Sequence, residues 1–487
     1  MPFLDRLQRW ADELPDGTAV AAAGQRLGWA ELRDAAAALV PAAPAVTVLS
    51  EQNPLRFAVA FAAAVAGERR CAVLDPAWPQ QLQDGIAERI PETFRPAAAP
   101  VPGPAVPGRP AGPGAVPVPD LGQDLADGPP DSPFLIGLTS GTTSVPKAFT
   151  RSRRSWQQSF DASIEFFGLS REDRTLAPGP LAASLNLYAL AECLYAGAEF
   201  HTLEQFDVGD AHAAVSHDGI TRLVLVPTML RLLSERGLTG GVDGSGLRSI
   251  ICAGSKLDAR TLEAARRWAP NATIFEYYGA SELSFVSGSG LRPGETPELG
   301  GTGIGRPFPG VEIRILDDAG TQLPDGRDGN ICVRSGMVSD GYLWGDDGQA
   351  LRCFDGWFTV GDQGYLSCGT LHMLGRRSDM IITAGTNVYP HEIELALASV
   401  PGVAAAVAAG MPDDVRGQRV IAGVVPSHGA LSATALKAGI EDVLARNKRP
   451  MEYFTLAELP LTDRGKVSRQ LLLDWVTAKD TRIRRLA

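Results

Sequence analysis

At 487 residues, 45% of them hydrophobic and 21% charged, the chain has room for two to four domains around real cores and the composition of a soluble globular protein. Its net charge of -11 argues against a nucleic-acid partner, which would need clustered Lys and Arg. The apolar run at 57–66 is too short to span a membrane, so no span is expected.

In chain order, residues 29–40 read as an alanine-rich helix, 46–49 as a buried strand, 57–66 as a packed helix and 71–74 as the next strand. Strand, helix, strand at this spacing implies a right-handed crossover and a parallel sheet. A connector at about 91–130 follows, dominated over 91–119 by Pro, Ala, Gly and Val. Residues 134–138 form an apolar strand that runs into a hydroxyl-rich stretch at 139–147. Strands are predicted at 221–226, 247–252 and 273–276, with a helix at 259–268 between the last two. From 310 to about 374 the spacing shortens to strands and turns (311–316, 329–333, 364–366), a small β-rich module. The last part reads as a small α+β unit: strand-like 380–382, a helix from Pro390 to Leu397 with Pro in its first turn, strands at 403–410 and 420–425, and a helix over 436–445. The fold class is thus α/β, with a large N-terminal part at 1–376 and a small α+β C-terminal domain at 377–487.

The stretch Thr139, Ser140, Gly141, Thr142, Thr143, Ser144, Val145, Pro146, Lys147 is the most informative. Its amides and hydroxyls can wrap phosphate oxygens and its lysine can neutralise them, although the same composition serves an ordinary Ser/Thr turn. It is not a P-loop, since Pro146 precedes the lysine. In the cluster Glu276, Tyr277, Tyr278, Gly279, Ala280, Ser281, Glu282, aromatics suit a base, Ser281 a phosphate and Glu282 a magnesium ion; packing and turn formation explain the same residues. A buried strand over 357–362 ending in Asp362 places a carboxylate for ribose hydroxyls, and Arg376 follows in a basic turn. Lys466 stands in a polar loop where a solvated lysine is the ordinary reading.

Six cysteines (71, 193, 252, 332, 353 and 368) lack metal-like spacing and read as free thiols of a reducing compartment. The first residues lack the blocks of a signal peptide, so the expected location is cytoplasmic. The six histidines form no HExxH or tight group, and no Gly-x-Ser-x-Gly elbow surrounds Ser140 or Ser281.

Taken together, these motifs resemble the adenylate-forming superfamily of acyl-CoA synthetases, peptide-synthetase adenylation domains and luciferases, in order from Thr139 almost to the end. The resemblance implies ATP, Mg2+ and coenzyme A as cofactors, and a family pattern closest to acyl-CoA synthetases. It casts residues 139–147 as the phosphate loop and Gly254, Ser255 and Lys256 as the turn bordering the acyl and adenine pockets. Tyr278 would stack on adenine with Glu276 near its amino group, and Tyr277 and Gly279 fall in the same nucleotide-binding motif. Ser281 would contact the α-phosphate and Glu282 bind Mg2+. Asp362 with Arg376 would grip the ribose, and Lys466 would touch the attacking carboxylate and α-phosphate. Gly385 falls where relatives line the pantetheine tunnel, and the small domain would rotate about Arg377 and Ser378 between two half-reactions. Departures from the pattern are Ser144 and Ala148 in the phosphate loop, Ala183 in the acyl region and Ser378 at the hinge.

The implied activity is activation of a carboxylic acid as its acyl-adenylate, then thioesterification to CoA. Transfer to the pantetheine arm of an acyl carrier protein is the alternative. Amino-acid activation fits less well, because 180–188 holds no acid and Glu192 lies further along. A binding or scaffold protein without catalysis would have no need of Lys466, Glu282 and Asp362. Small, apolar residues around Ala183, Asn186, Leu187, Val226, Met229 and 284–288 suggest a hydrophobic or aromatic monocarboxylate, since a second, unpaired carboxylate would be costly to bury.

Overall fold

The computed structural model describes residues 3–90, 124–139, 146–296, 303–427, 429–461 and 467–486. The chain gathers into two compact units, Met1–Ile313 with Cys332–Val360, and Arg314–Ile331 with Gly361–Ala487. The second unit therefore takes in β-rich segments that precede residue 377.

Unit 1 is built on two sheets. The larger has nine strands, of which six run parallel in the order Thr273–Ala280, Ser249–Cys252, Arg222–Leu225, Arg174–Ala177, Glu199–Thr202, Thr18–Ala22. Antiparallel strands finish both sides, Ser284–Leu291 and Arg306–Pro307 at one and Gln25–Gly28 at the other. Arg222–Leu225 and Ser249–Cys252 are buried along their whole length, as strands covered on both faces must be. Leu223, Leu225, Ile250 and Ile274 pack against Leu230, Leu233, Ala265 and Trp268 of the covering helices. Those helices start where their side chains dictate. Pro227 sits at the first position of Pro227–Gly240, and the Asp258 carboxylate accepts from the Thr261 amide at 2.9 Å ahead of Ala259–Trp268.

The order of this sheet reverses at one place. Arg174–Ala177 leads through the helix Ser184–Ala196 to Glu199–Thr202 on one side, while Arg222–Leu225 pairs on its other side. In open α/β sheets, ligands bind beyond the carboxyl ends of the strands at such a switch.

The smaller sheet has the order Gly341–Trp344, Lys147–Ser152, Pro133–Thr139, Arg70–Val73, Val46–Leu49. Val46–Leu49 and Arg70–Val73 run parallel across the helix Pro54–Ala64, as the spacing predicts. Arg153, fully buried, anchors one end. Its guanidinium donates to the carbonyls of Ser132, Pro133, Val65 and Arg69 at 2.9 to 3.1 Å and to the Ser132 hydroxyl at 2.7 Å, so neutral oxygens, mostly backbone, take up its hydrogen bonds. Of the predicted connector, 91–123 lie outside the described residues, and 124–130 carry only a bridge between Gly67 and Asp127.

In unit 2, strands run Thr386–Val388, Ile381–Thr383, Gly417–Pro426, Glu452–Leu456, Ile483–Arg485, and Val403–Asp413 also pairs with Gly417–Pro426. Helix Pro390–Ala398 carries Pro at its first turn, as expected. Two predictions need correction. The helix read at 436–445 spans Ala433–Gly439: Ser432 caps it through the Ala435 amide at 3.2 Å, and a glycine, the weakest helix former after proline, ends it. Asp362 does not end a strand. Trp357–Thr359 stops before Gly361, whose φ of +85° turns the chain, and Asp362 opens the next strand, Asp362–Ser367.

Candidate active site

At the carboxyl ends of two parallel strands in unit 1 stand Gly254, Ser255 and the predicted residues between Glu276 and Glu282. Beyond Arg174–Ala177 the chain passes through Gly179, where a β-carbon would meet the Asn186 amide at 2.9 Å and the Met229 methyl at 3.9 Å. Asn186 donates to the Pro180 carbonyl at 3.1 Å, holding this loop against its own helix. Beyond Ser249–Cys252 comes Gly254, with a φ of +93° and Val226 in van der Waals reach, so the loops at 179, 226 and 254 are neighbours. Ser255 is exposed.

Glu276 pairs in register with Cys252, which sets it opposite that loop. Lys256 Nζ donates to Glu276 Oε2 at 2.6 Å and to the Gly303 carbonyl at 2.7 Å, and the Leu257 amide donates to Glu276 Oε1 at 2.6 Å. Glu276 therefore pins the glycine turn. Tyr278 shares its face by strand alternation, whereas Tyr277 lies on the other face among Phe167 and Phe285, at ring distances of 5.8 and 4.7 Å. The structure thus gathers Gly254, Ser255, Glu276 and Tyr278 and leaves Tyr277 in an aromatic wall that includes stacked Phe285 and Phe308.

The hairpin Thr273–Ala280 to Ser284–Leu291 has a bulge after Tyr278. A β-carbon on Gly279 would lie 2.3 Å from the Ser284 carbonyl, so only glycine fits this crossing. Gly279→Ala is expected to cost about 1–3 kcal/mol, read as a drop of a few degrees in melting temperature. A variant that melts like the parent would contradict the packing argument.

Ser281 is exposed in that turn; Glu282 is 9% exposed. The Tyr342 hydroxyl donates to Glu282 Oε1, and the Glu282 carbonyl accepts from the Ser339 amide at 2.7 Å. Burial, with the Glu282 carboxylate beside it, holds the Tyr342 phenol well above its usual pKa, so it remains a donor. Arg151 is buried next to the same segment, and burial pulls its guanidinium down to about 10.

The hydroxyl-rich stretch joins two antiparallel strands, Pro133–Thr139 and Lys147–Ser152, with Thr139 paired to Lys147. Ser140, Gly141, Thr142, Thr143 and Ser144 lie outside the described residues, as does Lys466. The Trp344 indole donates to the Pro146 carbonyl at 2.9 Å, fixing the exit of the turn.

In unit 2, Asp362 and Arg376 are cross-strand partners, with Arg376 Nε 3.4 Å from the buried Asp362 Oδ1. Gly385 follows Ala384 in the two-residue turn between Ile381–Thr383 and Thr386–Val388. Their φ values of +48° and +77° are those of a type I′ turn, which by itself accounts for glycine at 385. Arg377–Asp379 is a short 3-10 turn, with Arg377 paired to Asp318.

Sequence reasoning missed Tyr342, Lys256 as the partner of Glu276, and the pairing of Glu192. Glu192 Oε2 accepts from Arg222 Nη2 at 2.7 Å and Oε1 from Ser163 at 2.5 Å, all buried. Only the Lys256 contact left a signal, a lysine directly after the Gly-Ser turn.

The arrangement fits one magnesium ion. Mg2+ takes one or two carboxylates and leaves its other positions to phosphates and water, and Glu282 supplies one oriented carboxylate. Among the described residues, no group of three or more His, Cys, Asp or Glu gathers as an all-protein metal cage.

Comparison with known proteins supplies the family. Residues 7–343 match the AMP-binding enzyme model, and 392–466 match the AMP-binding enzyme C-terminal domain. The chain is 34% identical over 348 residues (71% of this chain, 69% of the relative) to the uncharacterized acyl–CoA ligase YhfT of Bacillus subtilis. It is also 34% identical over 356 residues (72% and 68%) to the indoleacetate–CoA ligase of Aromatoleum aromaticum. The solved o-succinylbenzoate CoA synthetase (MenE) from Bacillus subtilis, in complex with its acyl-adenylate intermediate, superposes with a TM-score of 0.77 at 25% identity, over 96% of this chain and 97% of that one. The chain belongs to the AMP-binding enzyme family, the acyl-CoA synthetase superfamily of ATP-dependent acid–thiol ligases.

Proposed function

We propose that this ligase activates a hydrophobic or aromatic monocarboxylate and carries it to coenzyme A, and that its nucleotide is handled by the residues placed above. Tyr278 stacks on adenine beside the turn of Gly254 and Ser255. Glu276 holds that turn through Lys256 and Leu257 and keeps lone pairs for the adenine amino group. Asp362, with Arg376 beside it, accepts from the ribose hydroxyls. The phosphate loop from Thr139 to Lys147 and Ser281 bind the phosphates, and Glu282 takes the magnesium ion. When bound, that ion neutralises charge developing on the phosphate oxygens. Lys466 orients the substrate carboxylate against the α-phosphorus; the carboxylate attacks, and pyrophosphate leaves. The part from 377 then turns about Arg377 and Ser378, Gly385 comes to the pantetheine path, the thiol attacks the acyl carbon, and AMP leaves.

The observation that carries the reading is the sheet reversal between Arg174–Ala177 and Arg222–Leu225, with the loops at 179, 226 and 254 gathered at the carboxyl ends. The substrate class rests on two supports. The predicted acyl region holds the apolar Leu187, Val226 and Met229, and Glu192, the acid that follows 180–188 in sequence, is paired with Arg222 and so is not free for a substrate amine. A relative acting on indoleacetate agrees with an aromatic acid. We also place the protein in the cytoplasm, because its six cysteines are unpaired and no described helix is long and apolar enough to cross a membrane.

The test is pyrophosphate release with MgATP over a panel of acids, with and without CoA, and mass analysis of the products. Aryl and medium-chain acids are expected to give acyl-adenylate and then acyl-CoA. Saturation by a short diacid alone would overturn the substrate class. An adenylate that never reaches CoA would move the acceptor to a carrier protein.

A further inference from the structure

We infer that Tyr342 is a positioning residue for the Glu282 carboxylate, tying the magnesium-binding group to the hairpin that carries the phosphate loop. The inference rests on the reading of Glu282 as the metal carboxylate. Tyr342 lies on Gly341–Trp344, the edge strand that pairs with Lys147–Ser152, itself one arm of the phosphate hairpin. Its hydroxyl donates to Glu282 Oε1 and its oxygen also engages the Thr139 side chain, at the last described position before the phosphate turn. One phenol therefore joins two segments 143 positions apart that both serve the same nucleotide.

The ring reaches this place by packing alone. Tyr342 pairs in register with Phe149 and meets its ring edge-on at 6.2 Å, and Phe149 in turn covers Gly137, where a β-carbon would come within 2.3 Å of the ring. Packing thus sets the ring, and the hydroxyl is left to do something packing does not need. A carboxylate has about four lone-pair sites, so a donor on Oε1 fixes its plane while leaving sites for a cation. Partners that orient a metal-binding side chain change metal affinity or activity by about 10- to 100-fold when removed.

The experiment uses the full chain and Mn2+ as a paramagnetic probe, titrated by EPR in the presence of a non-hydrolysable ATP analogue. Tyr342→Phe is expected to bind Mn2+ about tenfold more weakly. In pyrophosphate release it should need about tenfold more Mg2+ for half-saturation, with kcat at saturating Mg2+ within about threefold of the parent, a split that general loosening of the fold would not give. Tyr342→His, which keeps a ring and an N–H donor, should recover most of the lost affinity. Parent-like Mn2+ binding by Tyr342→Phe, beside a Glu282→Gln variant that has lost the ion, would overturn the positioning role and leave the role of Glu282 standing. Parent-like Mn2+ binding by Glu282→Gln would overturn both.

Discussion

Replacing Arg222 by Met is expected to lower folding stability by about 3–5 kcal/mol, measured by urea unfolding. Arg222 and Glu192 are each 2% exposed in their side chains and sit 2.7 Å apart. Removing the guanidinium leaves a carboxylate inside the protein with only the Ser163 hydroxyl as donor. The penalty is that of an unpaired buried charge, larger than the net contribution of the pair itself. The double variant Glu192→Leu with Arg222→Met should therefore recover much of the loss, and a double variant as unstable as the sum of the singles would contradict this account. The pair also has a functional consequence. Arg222 opens the strand that ends beside Val226, and Ser163 ties Glu192 to Tyr188, whose phenol burial holds well above its usual pKa. Loosening this network should raise KM for the acid before it affects ATP.

How much of this was legible beforehand depended on the range of the interactions. The helix over 259–268 was readable to the residue because its start is a local matter: an Asp two positions before Arg260 and an apolar stripe behind it. The strand at 134–138 running into the hydroxyl-rich stretch was readable for the same reason, and Thr139 pairs with Lys147 on the strand that follows it. The helix read at 436–445 was misplaced because a cap at Ser432 and a glycine at 439 outweigh the apolar spacing beyond them. Asp362 was set on the wrong strand because the turn at Gly361 is announced only by a positive φ. Partners distant in sequence left almost no trace. Glu192 finds Arg222 30 positions on, and Glu282 finds Tyr342 60 positions on, through sheet pairings that no local pattern encodes.

Lys466→Ala is expected to slow carboxylate-dependent pyrophosphate release by about 10²–10³-fold, the usual effect of removing one group that stabilises developing charge. Adenylation brings a carboxylate against the α-phosphate, two anions, and a cation placed between them lowers that repulsion without taking a proton. Once the acyl-adenylate exists, this demand is gone: attack by a thiol on the mixed anhydride needs no charge at that spot. Supplied with synthetic acyl-adenylate and CoA, the variant should therefore form thioester at a rate far closer to the parent's. The described residues on either side of 462–466 are held in place. Leu461 bridges Val467, Ser468 caps the helix Arg469–Ala478, and Arg469 donates to Asp379 and Glu394 at 3.0 Å. Arg469 thereby ties the start of the helix Arg469–Ala478 to the turn Arg377–Asp379. Equal loss in both half-reactions would mean that Lys466 supports the fold or CoA binding instead. Undiminished pyrophosphate release would move the charge-stabilising role to Lys147 or Arg376.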